Sequence, residues 1–461
     1  MSDGTPPPAL AHSANEAAVG AILDSLRSFR HRFLTPVLLG LVLLFDSWDS
    51  IAIAYAMPSL SAEWHLNPLE MGFIISAGYG GQFLGAFLLG AVAERYGRMP
   101  VLIAAVTAMG LLAIGCGFAP GYTSLLILRL IQGLMIGGAL PVAITYINEL
   151  APTATRGRYF GIFQTLAISG FAAASISSPF IIPVFGWRWM LGLGAIPVFL
   201  VPLVWTMLPE SPRWLARTGR LDAANRALAK LGGVPATFAE PAIALRQSPG
   251  AQTPTRRRLP ALELIAPRMR QRTLTVTLLW LLTMFTSFGL TTWVPSIYVK
   301  VFHIPVERAL RYTASTSLLI LIVMAGTGYM IDRFGRRPFG LGGLLVTAVA
   351  LLVLALFEPS REAVLVGLVV TGQVAIFFGA FVLWPYTAET YPTDVRALGI
   401  GYGSAIGRAA SMLTPLFVGF VLNQGAPISI VFICFGLSAL GALVTWLMRT
   451  SETAGKPLDA V

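Results

Sequence analysis

Apolar residues run through this chain in twelve long stretches separated by short polar breaks. Each stretch meets or approaches the roughly 20 residues that a helix needs to cross a bilayer core. They fall near 33–57, 69–93, 100–119, 122–147, 159–183, 187–208, 273–299, 310–331, 338–357, 362–388, 397–422 and 427–448. The pattern predicts an all-α membrane protein with twelve transmembrane helices, here spans 1 to 12. An even number returns both termini to one side. The expected organisation is a tail over 1–32, a first six-span bundle over 33–208, a linker over 209–272, a second bundle over 273–449 and a tail over 450–461.

Composition supports this reading. Hydrophobic residues make up 56% of the chain and charged residues 11%, with a mean hydropathy of +0.74. A water-facing domain carries about 25% charged residues. Lys and Arg collect on the loops that share a side with the termini, which takes 25 of the 32 basic residues if that side is the cytoplasm. The first 32 residues are Pro- and Ala-rich and then basic, without an early apolar core, so no cleavable leader is expected and both termini are predicted to stay cytoplasmic at the inner membrane. The +11 net charge then reflects topology and anionic lipid contact, not nucleic acid. Cys116 and Cys434 sit in apolar runs without further ligands, and His12, His31, His65 and His303 are scattered over termini and loops. No metal, cofactor or enzymatic constellation is expected, and the chain is expected to be a monomer.

The chain also repeats itself. Gly90-Ala-Val-Ala-Glu94-Arg95-Tyr-Gly97-Arg98-Met-Pro100 recurs as Gly328-Tyr-Met-Ile-Asp332-Arg333-Phe-Gly335-Arg336-Arg337-Pro338, with Glu94 and Asp332 offset by 238. Glu149-Leu-Ala-Pro152-Thr-Ala-Thr-Arg156 recurs as Glu389-Thr-Tyr-Pro392-Thr-Asp-Val-Arg396 at 240. Two unrelated elements share nearly one offset. Six spans in each half give the copies the same orientation, related by an axis along the membrane normal. At these residues the sequence resembles the major facilitator superfamily over about 30 to 450. The resemblance implies two pseudo-symmetric six-helix bundles and alternating access. It makes Glu94, Arg98, Glu149 and Arg156, with Asp332, Arg336, Glu389 and Arg396, candidates for a charge latch at the cytoplasmic helix ends. Glu210, in Pro209-Glu210-Ser-Pro-Arg213, is either a third partner in that latch or an ordinary charge at a helix start.

Ionisable groups inside the spans are costly and usually face a cavity. Four stand out: Asp46, Asp49, Arg129 and Arg408. Asp46 and Asp49 are three residues apart and share nearly one helix face. Two adjacent carboxylates resist ionising together, so one can take up and release a proton. Counting residues places Asp49 and Arg129 in the same half of the bilayer, where an ion pair is reasonable; it is either a coupling element or a permanent packing pair. Arg408 falls near mid-depth, and the repeat offset maps it to Ser169, so the first half has no matching charge. A lone guanidinium there can grip a carboxylate through two parallel hydrogen bonds. The alternative is pairing with Asp46 or with backbone carbonyls.

Tyr79, Phe288, Phe377, Trp384 and Tyr386 supply candidate aromatic walls, and Trp293 with Pro295 a candidate bend near the end of span 7. Asp46-Ser-Trp-Asp49 resembles the Asp-x-x-Asp of aromatic acid/proton symporters and nicotinate transporters. Trp293-Val-Pro295-Ser and Gly407-Arg408 followed by Pro415 match the latter, and the linker opening is also similar to sugar porters and to synaptic vesicle glycoprotein relatives. The paired glutamines of sugar porters are missing from Thr283-Met-Phe-Thr-Ser-Phe-Gly289. These resemblances imply a proton-coupled importer whose partners are a small organic anion, such as nicotinate or a benzoate, protons and the bilayer. A sugar, polyol or neutral heteroaromatic porter, and a non-transporting membrane sensor, remain the alternatives.

Overall fold

The computed structural model describes residues 8–25, 34–232, 234–235, 260–357, 359, 361–392 and 395–452. The basic stretch 27–32 and the Pro-rich part of the linker, 236–259, lie outside the described residues. The twelve long helices are α1 (Leu34–Glu63), α2 (Pro68–Tyr96), α3 (Arg98–Gly117), α4 (Tyr122–Leu150), α5 (Arg156–Phe185), α6 (Trp187–Met207), α7 (Arg270–Lys300), α8 (Val306–Phe334), α9 (Arg336–Phe357), α10 (Glu362–Thr390), α11 (Arg396–Asn423) and α12 (Ile428–Arg449). All but α8 are long and apolar enough throughout to cross a membrane by length and composition, and α8 is the remaining long helix where span 8 is expected.

Several helices outrun the apolar stretches that announce them, because hydropathy marks the middle of a helix and capping decides its ends. Asn67 starts α2 with a reciprocal capping box: its side-chain oxygen accepts from the Glu70 N–H at 2.8 Å, and its own N–H donates to Glu70 Oε2 at 2.9 Å. Span 6, expected as one helix, is interrupted. It runs as Trp187–Gly192, a 3₁₀ turn over Leu193–Ala195, and Pro197–Met207. Two glycines and a proline in Gly192-Leu-Gly194-Ala-Ile-Pro197 weaken the α-helical ladder there. Pro295, by contrast, lies inside an unbroken α7, and Trp293 beside it is buried.

Within the first bundle α1 packs on α5 and α2 on α4; within the second, α7 packs on α11 and α9 on both α10 and α12. The α2–α4 contact is close because glycines face backbone: Gly81 and Gly85 meet Leu130 and Leu134 of α4, and Gly133 and Gly137 meet Gly78 and Gln82 of α2. The halves meet along α2–α11, α5–α8 and α1–α7. Call the end holding the α2–α3 and α8–α9 turns the linker end and the other the far end. The seam is tight at the far end. A side chain on Gly72 would strike the Pro415 carbonyl, and one on Gly419 the Pro68 carbonyl. Ser175 of α5 donates to the Thr313 carbonyl of α8 at 3.1 Å and accepts from Ser317 at 2.8 Å, and Lys300 donates to the Leu66 carbonyl. A further helix, Pro8–Ser25, docks on the linker end through buried Val19 and Leu23, and its Asp24 accepts from the N–H and hydroxyl of Thr153.

Candidate functional site

The four ionisable side chains within the spans come together as two pairs that differ in kind. Asp49 is almost fully buried, and neither carboxylate oxygen has a hydrogen-bond partner among the described residues. Gly194, in the turn that breaks span 6, makes its room: a Cβ there would lie against the carboxylate. Arg129 on α4, also buried, approaches α1 from another side. Its Nη2 donates to the Asp49 main-chain oxygen at 3.1 Å and its Nη1 to Gln132 Oε1 at 2.8 Å. Gly78 leaves space for the guanidinium, since a Cβ would stand 3.0 Å from Nη2. The expected ion pair is thus, in this conformation, a guanidinium on a backbone carbonyl, with the Asp49 carboxylate turned toward α6 and still within electrostatic reach. Local geometry explains the difference: Asp49 projects into the gap left by Gly194.

Asp46 and Arg408 form the second pair, one from each half. They attract across the seam without closing an ion pair. Asp46 is buried and Arg408 half-buried, and the Arg408 guanidinium makes no hydrogen bond among the described residues. A guanidinium carries five donors in a fixed fork, and those of Arg408 have no acceptor among the described residues.

The candidate aromatics divide. Tyr79 and Phe288 meet edge to face across the seam, ring centroids 5.3 Å apart, and the Tyr79 hydroxyl donates to the Ser50 carbonyl at 3.3 Å. Trp384 is 49% exposed and stands edge to face with Trp280 of α7 at 4.9 Å. Phe377 is partly buried against the core. Tyr386 lies elsewhere, buried against Trp446 of α12 inside the second bundle. Sequence reasoning missed Trp280. Its Nε1 donates to Thr387 at 2.9 Å, and its ring fills the hollow beside Gly403 and Gly407, fixing the turn of α11 that carries Arg408. The Gly-x-x-x-Gly spacing ahead of Arg408 was the available signal.

At the linker end the duplicated signature builds the same device twice. Arg98 pairs with Glu94 at 2.8 Å and Glu149 at 3.1 Å, and Arg217 of the linker also pairs with Glu94. In the second half Arg336 pairs with Glu389 at 3.1 Å. Glu210 accepts from the main-chain N–H groups of Arg98 and Met99, which open α3. Glu452 does the same for Arg336 and Arg337, which open α9. Glu452 was not singled out in the sequence, although it lies 242 residues after Glu210, close to the repeat offset. Gly97 and Gly335 precede these helices with φ of 109° and 94°, and a side chain on either would collide with its carboxylate. Glycine is therefore required twice over, for the turn and for the approach. Burial pushes the Glu210 carboxyl up from the ordinary glutamate range, while the N–H groups of Ser211, Arg98 and Met99 pull it back. These contacts tie helices within each half to one another. Arg396 donates to the Tyr391 carbonyl, the buried Nε of Arg156 has no partner among the described residues, and the side chain of Asp332 lies outside them.

Comparison with known proteins agrees with this architecture. The family described as "Sugar (and other) transporter" matches residues 47–461. The chain is 32% identical to the niacin transporter of Acinetobacter baylyi over 92% of its own length and 94% of that protein. It is 31% identical to a gallate transporter of Pseudomonas putida, over 92% and 93%, and 26% identical to a benzoate transport protein of Acinetobacter baylyi, over 96% and 95%. Among solved structures, a D-xylose–proton symporter superposes with a TM-score of 0.69 at 21% identity, covering 93% of this chain and 100% of that one, which speaks to the fold. Twelve helices in two bundles, the duplicated signature and these matches place the chain in the Sugar (and other) transporter family of the major facilitator superfamily.

Proposed function

We propose that this multi-pass membrane transporter imports a small aromatic or heteroaromatic monocarboxylate together with protons, at the inner membrane and with its linker end in the cytoplasm. The observation that carries the reading is the Arg408 guanidinium, half-buried at the seam and without an acceptor among the described residues. A carboxylate would supply two oxygens in the geometry of that fork. The names of the relatives, niacin, gallate and benzoate, share an aromatic ring, and this chain has Trp384 against Trp280, whose ring packs on the α11 turn of Arg408, with Tyr79 and Phe288 meeting across the seam. Once a carboxylate occupies Arg408, Asp46 loses its opposite charge and is better off protonated. Asp49, whose buried carboxylate has no hydrogen-bond partner among the described residues, carries the second proton-sensitive position, and Arg129, now on the Asp49 main-chain oxygen, would turn to the carboxylate when it ionises.

The test is a thermal-shift comparison of nicotinate, benzoate and their amides on the purified chain, followed by pH-gradient-driven uptake in proteoliposomes. Ligands that bind the folded state raise the melting temperature by mass action. The acids should stabilise and the amides should not. Equal shifts for acid and amide would hand the site to neutral heteroaromatics or sugars.

A further inference from the structure

The α10 face that carries Trp384 continues toward the far end through Phe377 to Gln373, at steps of seven and four residues that keep all three on one side of the helix. The adjoining side of α10 is taken: a side chain on Gly372 would meet Leu351 of α9, and one on Gly379 would meet Leu344 of α9 and Thr283 of α7. Eleven residues before Gln373 the shared face is sealed by α8, where Glu362 accepts from Tyr312 at 2.9 Å and from Arg308 at 3.2 Å. Eleven residues after Gln373 it is open. Trp384 there is half-exposed and stands against Trp280, whose ring packs on the α11 turn of Arg408. Gln373 thus lies where this face passes from covered to open, about 16 Å along the helix from Trp384.

Gln373 is 7% exposed, and its Oε1 is enclosed without a hydrogen-bond partner among the described residues. A buried amide oxygen is nearly always bonded, because leaving it unmade forfeits its hydration with no return. Packing does not call for the amide. Repeat offsets of 238 to 240 place Gln373 on Met135, Leu134 or Gly133 of α4, none of them polar. A carboxylate on Arg408 would sit beside the Trp280–Trp384 pair, and its ring would run along α10 past Phe377. The ring position opposite the carboxylate is then the one that approaches Gln373. An acceptor oxygen there is matched by an O–H, whereas a bare ring leaves it unmade and a ring nitrogen sets acceptor against acceptor.

We propose that Gln373 determines specificity by accepting a hydrogen bond from a ring hydroxyl opposite the carboxylate, so that the preferred solutes are para-hydroxylated aromatic acids. This inference rests on the reading of Arg408 as the carboxylate clamp. Isothermal titration of the purified full-length chain should show 4-hydroxybenzoate binding about three- to tenfold tighter than 4-fluorobenzoate, which fills nearly the same space without a donor. Gln373→Met, similar in volume and lacking the amide, should bring the two ligands within about twofold. Gln373→Asn, which draws the carbonyl back by one methylene, should fall between. A wild-type ratio near one overturns the proposal without any variant, and a ratio that survives in Gln373→Met overturns it as well. Equal binding of 4-hydroxybenzoate and 4-hydroxybenzamide to wild type would instead sink the Arg408 reading and this inference with it. Acids bound above amides with no gain from the hydroxyl would sink the Gln373 assignment alone.

Discussion

The two ends of the repeat behave differently from its middle. At the linker end the halves are copies down to single atoms: Gly97 and Gly335 both turn with positive φ, and Glu210 and Glu452 both cap the helix that follows. At mid-span nothing is copied. Asp46, Asp49 and Arg129 belong to the first half, Arg408 belongs to the second, and the position matching Arg408 is Ser169, whose hydroxyl bonds back to Leu166 in its own helix. Turns and caps solve one mechanical problem that both halves share. Charges at mid-depth are expensive wherever they are put, and under the proposed function a single ligand needs only one of each.

The sharpest way to break this contrast is at Arg408. Arg408→Ala should weaken acid binding a hundredfold or more, since an uncompensated buried charge costs several kcal/mol, and Arg408→Lys should recover only part. Ser169→Ala should leave affinity within about twofold, because its bond is local. Isothermal titration of both variants decides; comparable losses would restore symmetry to the site. Next in size, Asp49→Asn should abolish uphill accumulation in proteoliposomes while ligand still binds, with Asp46→Asn milder. Undiminished accumulation in Asp49→Asn would remove that residue from the coupling.

At the linker end the symmetric expectation is the testable one. Gly97→Ala and Gly335→Ala should each cost on the order of 1–2 kcal/mol from the left-handed backbone, plus displacement of the capping carboxylate. Their melting temperatures should fall alike, and a large inequality would show that the two caps bear different loads. Trp384→Ala should weaken aromatic acids by about 1 kcal/mol beyond lost area, read against an aliphatic acid of similar size.

The smallest effect concerns the helix Pro8–Ser25, which precedes the first half. The Thr153 N–H, chiefly, holds the Asp24 carboxyl below its ordinary range, with burial opposing and Arg213 and Arg156 assisting. A depressed folded-state pKa means that the anchor is fully present above the ordinary aspartate range and is lost as pH falls through the lowered value. Protection against hydrogen exchange over 8–25 should be high near neutrality and fall in acid, and Asp24→Asn should lower it near neutrality and remove the acid dependence.

The sequence made the scaffold readable because bilayer spans and a duplicated motif are written in residue types. Arg129 illustrates what was not readable. Its place near Asp49 followed from counting residues along two helices, but its choice of the main-chain oxygen depends on the break at Gly194, a packing detail between α1 and α6. Trp280 stayed hidden for a related reason: a tryptophan in a span reads as packing until Gly403 and Gly407 are seen to receive it. Glu452 was legible in principle, yet it falls beyond the last span, where no apolar pattern directs attention.

The far-end seam has a consequence in how the molecule should respond to its surroundings. Ser175 and Ser317 close it with uncharged hydroxyls, on each other and on the Thr313 carbonyl, Lys300 adds a donor to the neutral Leu66 carbonyl, and the glycine contacts of α2 with α11 close it with backbone shape. Ionic strength screens exposed charge pairs such as Arg217–Glu94 but has little hold on neutral contacts. Raising the salt should therefore loosen the exposed pair at the linker end while leaving the far end as it is.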